Sequence, residues 1–241
     1  MRPVDRRNSP RATDYADHRD AFWELASRLG FFCSYCERRI ATVLAVEHIQ
    51  PKGLPAYEHL KGRWENFLLA CVNCNSTKKD KDVVLNQVLL PDRDSTAAAY
   101  TYTMDGRIEV QPGLSAQQRA KADRTLALTG LDKLIGAEED SNGKLVAGDR
   151  VSQRMEAWLI AQDCKTDLQV NQSDAFRRLI GRTAKESGFF SIWMTVFQDD
   201  LAVRRLLVEA FDGTAPDCFD PLTTLPVTPR PANGLADGSK V

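Results

Sequence analysis

The chain has 241 residues, with 33 acidic and 32 basic side chains, six cysteines and three histidines. At roughly 100–200 residues per domain this is one or two domains, long enough to bury a core without depending wholly on metals or disulfides. A net charge of −1 excludes a strongly basic, histone-like nucleic-acid binder, though not a local basic patch, and three histidines leave little material for a multi-histidine metal centre.

The first residues, MRPVDRRNSPRATDYADHRD, are charged and carry no apolar core, so no secretory signal is expected. No apolar run approaches the ~18 residues a membrane span needs. The expectation is a cytoplasmic protein with reduced thiols. RDAFWELASRLG places Phe22, Leu25 and Leu29 at helical spacing, with Gly30 as the stop. ATVLAVEHI then reads as a strand ended by Pro51 and Gly53, and NFLLAC as a second strand. Asn75 or Ser76 is the expected cap of a short helix after Cys74. VLNQVLLPDRD reads as irregular, and AAAYTYTMDGRIEVQP as a hairpin turning at Asp105-Gly106.

From about Ser115 the pattern turns helical. SAQQRAKADRTLALTG has a Ser cap and a Gly stop. A Gly- and acid-rich loop, LIGAEEDSNGKLVAGD, is followed by helices in RVSQRMEAWLIAQDC and in SDAFRRLIGRTAKESG, the latter capped by Ser173. In GFFSIWMTVFQDDLAVRRLLVEAFDG, Phe190, Trp193, Met194, Phe197 and Leu201 fall at helical spacing and are assigned to core packing. The tail from Pro221 is rich in Pro, Gly, Ser and Thr and is expected to be disordered. The expected organisation is α+β: an N-terminal arm and helix over 1–30, a small metal-bearing core over 31–90, a hairpin and helical accessory region over 91–220, and the tail over 221–241.

The chemistry-bearing residues cluster in the second of these segments. Cys33 and Cys36 form one CxxC pair, and Cys71 and Cys74 another. In a reducing compartment two such knuckles can bring four thiolates to one tetrahedral Zn²⁺, the alternatives being four buried core cysteines or a redox CxxC. Cys164 and Cys218 stand alone and are assigned to the core. Glu47 and His48 are adjacent at the end of the first predicted strand. Neighbouring strand residues point to opposite faces, so the two share a site only where the strand ends. His59 and His18 are expected at the surface. Lys52 to Lys81 holds six basic and three acidic residues, so this segment is locally positive. Arg177, Arg178, Arg182 and Lys185 would add a basic face to one C-terminal helix, and Arg2, Arg6, Arg7 and Arg11 are weak evidence for DNA contact at the N-terminus.

The pattern CxxC…EHIxPK…WxNFLLACxxCNxxK resembles the HNH endonuclease family, in its zinc-knuckle subclass with a ββα-metal core. The resemblance covers roughly residues 31–81. It implies phosphodiester hydrolysis of DNA, with His48 as general base and a catalytic Mg²⁺ or Mn²⁺ held by Glu47 and Asn75. Asn66 would orient the catalytic loop, Lys78 and Lys52 would contact phosphate, and Cys33, Cys36, Cys71 and Cys74 would hold a structural zinc. The expected products are a 5′-phosphate and a 3′-hydroxyl. With FCSYCE, LLPDRD, GFFSIWMTVF and CFD, the wider chain is similar to the PtuB-type HNH effectors of bacterial Septu and retron-linked anti-phage systems, which implies a PtuA-like ATPase partner. Two other readings remain at this point: a non-catalytic zinc-knuckle module that binds nucleic acid or protein, and a stand-alone, toxin-like nuclease.

Overall fold

A computed structural model describes residues 1–133 and 146–241. The fold is α+β, with small two-stranded sheets and a helical C-terminal region.

Helix α1 (Phe22–Leu29) buries Leu25, Ala26 and Leu29 and closes at Gly30, whose φ of 71° needs no Cβ. A 3-10 turn, His18–Ala21, feeds it, capped by the Asp17 side chain. Strand β1 (Ala45–His48) pairs antiparallel with β2 (Phe67–Ala70), placing Glu47 opposite Leu68 and His48 opposite Phe67. Residues 41–44 of the apolar run are bent and precede the strand.

Helix α2 (Val72–Lys78) starts earlier than its sequence suggests. Cys71, not Asn75 or Ser76, is the N-cap: its Sγ accepts the Cys74 N–H at 3.4 Å. The second CxxC therefore straddles a helix start, and β1, β2 and α2 form a ββα unit.

Strands β3 (Tyr100–Tyr102) and β4 (Ile108–Val110) form the expected hairpin, with Gly106 in its turn at φ 77°. Helix α3 (Ala116–Thr129) carries a full capping box, in which Ser115 and Gln118 cap each other's backbone, and it ends at Gly130 in the left-handed region. Helix α4 (Val146–Val170) is longer than the predicted 150–164. The expected Gly- and acid-rich loop lies at 134–145 outside the described residues, and its last four positions are helical.

Helix α5 (Asp174–Ser187) is capped by Ser173. The next apolar run is broken into α6 (Phe190–Val196) and α7 (Leu201–Ala210), because the Asp200 carboxylate accepts the Val203 N–H and starts a new helix. α5 packs on α7 and α4 on α6. Phe190, Trp193, Met194 and Phe197 are buried as expected, and Leu201 is 38 % exposed.

Both terminal segments differ from expectation. Met1 and Val4 are core residues, and Arg2 and Arg6 are buried rather than offered to DNA. Arg6 pairs with Asp92 at 2.7 Å and donates to the Phe67 and Glu65 carbonyls. The segment 221–241 has no helix or strand but is packed rather than disordered. Arg230 donates to the carbonyls of Pro91 and Val4, and the Val241 carbonyl accepts from Ser95 and Arg230. The sequence is polar here because its order comes from main-chain hydrogen bonds, which composition does not reveal. The expected basic face on α5 shrinks to Arg178 and Arg182. Arg177 pairs with Asp174, and Lys185 with Asp212.

Candidate active site

The four knuckle cysteines come from two places: the turn at Cys33–Cys36 and the start of α2. Their sulfurs lie within 4.8 Å of one another, and Cys36 and Cys71 are 3.7 Å apart. Zn–S bonds of about 2.3 Å in a tetrahedron give sulfur separations near 3.8 Å, so the donor set fits zinc. All four are buried. Hydrogen bonds from Cys33, Cys36 and Cys74 hold the Cys71 thiol far below its ordinary range.

The charge around them fits as well. Arg150 and Arg154 of α4 are 2 % and 1 % exposed, and neither pairs with a carboxylate among the described residues. Arg150 Nη1 lies 3.6 Å from Cys74 Sγ, and its guanidinium also donates to the Thr129 and Gly130 carbonyls. Arg154 donates to the Gly106 carbonyl. Burial pushes its pKa down, while Tyr102, Cys36 and Cys74 act in the opposite sense. A zinc held by the four thiolates would carry two negative charges, which the two buried guanidiniums would balance. Glu37, next to Cys36, accepts from Ser191 N and Oγ at 2.7 Å and from Tyr102 at 3.0 Å, tying the knuckle to α6 and β3. Gly188 sits against it at φ 77°, where a Cβ would come 2.7 Å from the Arg39 nitrogen.

His48 ends β1 and is 8 % exposed. Its Nε2 lies 2.9 Å from the Lys61 carbonyl oxygen. A carbonyl only accepts, so Nε2 carries the proton and the neutral ring keeps its lone pair on Nδ1. The Phe67 ring meets the imidazole edge-on at 5.1 Å. Burial lowers the His48 pKa from its ordinary 6.5, the Lys61 carbonyl offsets part of this, and Lys52 lowers it further. The ring is therefore a neutral base at pH 7.

Asn66 is 4 % exposed and clamps the loop between the strands. Its Oδ1 accepts the Gln50 N–H at 2.8 Å, and its Nδ2 donates to the Gln50 and Leu60 carbonyls at 2.9 and 3.3 Å. That loop carries Lys61, the acceptor for His48.

Glu47 points away from His48, toward α2. Its Oε1 is 2.6 Å from Lys78 Nζ, and its Oε2 accepts from Tyr35 Oη at 2.7 Å. Tyr35 is held protonated by burial and by the Glu47 charge. Lys78 is 1 % exposed and also donates to the His48 carbonyl at 2.7 Å. The expected phosphate contact by Lys78 is therefore corrected: its ammonium is an internal partner of the motif and is closed to substrate. Lys52 is exposed and lowers the pKa of both His48 and His18, so it remains beside the site.

Asn75 is half-buried, one turn before Lys78 on the same helix face, and its side chain makes no hydrogen bond among the described residues. Glu47 and Asn75 supply the hard oxygen donors a Mg²⁺-type ion takes. Two of the four lone-pair positions of Glu47 are used by Lys78 and Tyr35, and two remain. The Glu47 and Asn75 oxygens are of the type such an ion takes, and Lys78 is a fixed positive neighbour of the Glu47 carboxylate.

His18, expected at the surface, belongs here instead. Its ring centroid lies 4.7 Å from that of His48, so it lines the site. Asp17 before it, a capping residue ahead of an apolar helix, is the one local signal of an ordered position. His59 is exposed as expected.

Among the described residues no helix is long and apolar enough to cross a membrane. A search of curated proteins finds no match for this chain. Residues 33–81 match the protein-family model described as HNH endonuclease, a span that begins at the first knuckle cysteine and includes His48, Asn66 and Asn75. HNH nucleases use divalent metals and act on nucleic acid. With the ββα unit, the four-cysteine cluster and the motif histidine all inside the matched span, this chain carries an HNH endonuclease domain.

Proposed function

We propose that the protein is a metal-dependent endonuclease that hydrolyses phosphodiester bonds of DNA, with His48 as general base. The observation that carries this reading is the tethering of His48 Nε2 to the Lys61 carbonyl, which leaves Nδ1 as the free base. Nδ1 takes a proton from water as the water oxygen attacks phosphorus. Asn66 acts as a positioning residue by holding the loop that holds His48. Lys52 contacts a phosphate oxygen. Glu47 and Asn75 would hold Mg²⁺ or Mn²⁺, which would supply Lewis-acid stabilisation of the leaving 3′ oxygen when bound. Lys78 and Tyr35 keep the Glu47 carboxylate oriented. The products are a 5′-phosphate and a 3′-hydroxyl.

The similarity of the wider chain to Septu-type effectors supports a role in anti-phage defence beside an ATPase partner. Co-purification with an ATPase separates that role from a stand-alone nuclease.

The test is cleavage of supercoiled plasmid DNA, and of RNA of matched sequence, in Mg²⁺, Mn²⁺ or EDTA. DNA cut in either metal and left intact in EDTA is the expected result, with Glu47→Gln and Asn75→Ala each raising the metal concentration required. Cleavage of RNA alone, or undiminished cleavage in EDTA, would overturn the reading. Binding of DNA without cleavage under all conditions would favour a non-catalytic module.

A further inference from the structure

We propose that Tyr15 is a positioning residue for the general base, and that the N-terminal arm, residues 6–15, braces the segment on which His48 depends. This deepens the proposed function and rests on His48 being the base. The arm lies outside residues 33–81, so the matched span does not hold its own base in place unaided.

His48 is anchored by one hydrogen bond, from Nε2 to the Lys61 carbonyl, so the ring is placed only as well as Lys61 is placed. Lys61 is exposed, in the short link between the 3-10 turn Pro55–Leu60 and the next one, Trp64–Asn66. Such a link has few partners of its own and needs outside contacts to be rigid. The arm supplies them. Tyr15 N–H donates to the Gly62 carbonyl at 2.9 Å, one residue past the His48 acceptor. Asp14 pairs with Arg63 at 3.1 Å, an exposed pair that contributes little by itself. The Arg7 carbonyl accepts the Trp64 indole N–H at 2.8 Å, and Arg6 donates to the Glu65 and Phe67 carbonyls at 2.7 and 2.6 Å. These contacts run in reverse order along the two segments, so the arm is laced along 62–67.

Tyr15 also supports the imidazole from behind. It is 3 % exposed, and its ring stacks on Trp64 with centroids 6.0 Å apart and meets Phe67 edge-on at 5.9 Å. Phe67 in turn meets the His48 ring edge-on at 5.1 Å. Tyr15 therefore reaches His48 by two routes: through the main chain of Gly62 and Lys61, and through the Phe67 ring.

Tyr15 is itself fixed. Its Oη donates to Glu24 of α1, and the Arg11 guanidinium lies 4.5 Å from the ring centroid while pairing with Glu24 at 3.3 Å. Gly62 fits the same account. Its φ is outside the left-handed region, yet a Cβ there would run into the Tyr15 carbonyl oxygen. The glycine is required by the close approach of the arm, not by its own backbone conformation.

The test measures DNA cleavage in Mg²⁺, with kcat and KM taken separately, beside the ¹⁵N and ¹H signals of the His48 ring. Tyr15→Ala and Gly62→Ala are expected to lower kcat by roughly 10–100-fold with KM within about twofold, because alignment is lost rather than binding. The conservative Tyr15→Phe keeps both ring contacts and should restore most of the rate. At about pH 8 the wild-type His48 ring should show one neutral tautomer with the proton on Nε2, and the two damaging variants a mixture of both tautomers. Zinc content and helical signal unchanged from wild type establish that the variants are folded. Wild-type kcat in folded Tyr15→Ala and Gly62→Ala would overturn the proposal. So would a lowered kcat with the single tautomer kept, or Tyr15→Phe as slow as Tyr15→Ala. Loss of zinc or of helical signal by both Tyr15→Ala and Gly62→Ala would also overturn it, since the arm would then hold the fold rather than the base. If His48→Ala cleaves DNA like wild type, the nuclease reading itself fails, while the tautomer measurement still reads whether the arm fixes the ring.

Discussion

Residues 33–81 carry two strands of four residues and one α-helix of seven, whereas residues 146–210 carry α-helices of 25, 14, 7 and 10 residues. A segment as short as the first cannot enclose a sufficient apolar core and needs a cross-link. The helical region closes over large side chains such as Trp193 and Phe197, both fully buried. One region is pinned by four thiolates and the other by apolar area. They are joined where Arg150 and Arg154 of the helical region balance the thiolate charge. The nuclease core therefore depends on the accessory helices for its electrostatics as well as for its packing.

This contrast sets the size of the expected effects. Zinc removal by a strong chelator, or Cys71→Ser, should be the most damaging. Structural zinc contributes an apparent ~10–16 kcal/mol in small domains, so the core should lose its fold while α5–α7 keep their helical signal. Amide exchange resolved by segment checks this, and uniform unfolding of both regions would erase the distinction. Trp193→Ala should cost about 3–5 kcal/mol, read as a lower denaturation midpoint with zinc still bound. Arg154→Met should weaken zinc binding by roughly 10–100-fold in a competitive chelator titration, because a counter-charge near Cys36 and Cys74 is lost. Unchanged affinity would show that the two regions are not coupled in this way. Ser115→Ala removes one helix cap and should cost about 1 kcal/mol, with no effect on zinc.

What the sequence made legible follows the same division. Two CxxC pairs, the Glu47-His48 dipeptide and the two asparagines declare themselves by spacing, and the structure brings the four cysteines together. Ser115 with Gly130, and Asp105-Gly106, mark their elements because caps and turns are local. Three things were not local. Lys78 reads by resemblance as a phosphate contact, yet the packing of α2 on the sheet turns it inward to pair with Glu47. Arg2, Arg6 and Arg230 look like surface charge and are internal, because their partners are mostly distant backbone carbonyls that have no sequence signature. His18 looks unremarkable until the turn after Asp17 folds over β1.

The proposed general base is one imidazole, His48. The direct test is to measure zinc content and plasmid cleavage on the same preparation of His48→Ala. The expected result is the same zinc per chain as wild type, an unchanged fold and a loss of about 10²–10⁴-fold in cleavage rate. Cleavage at the wild-type rate by a zinc-loaded, folded His48→Ala protein would contradict it.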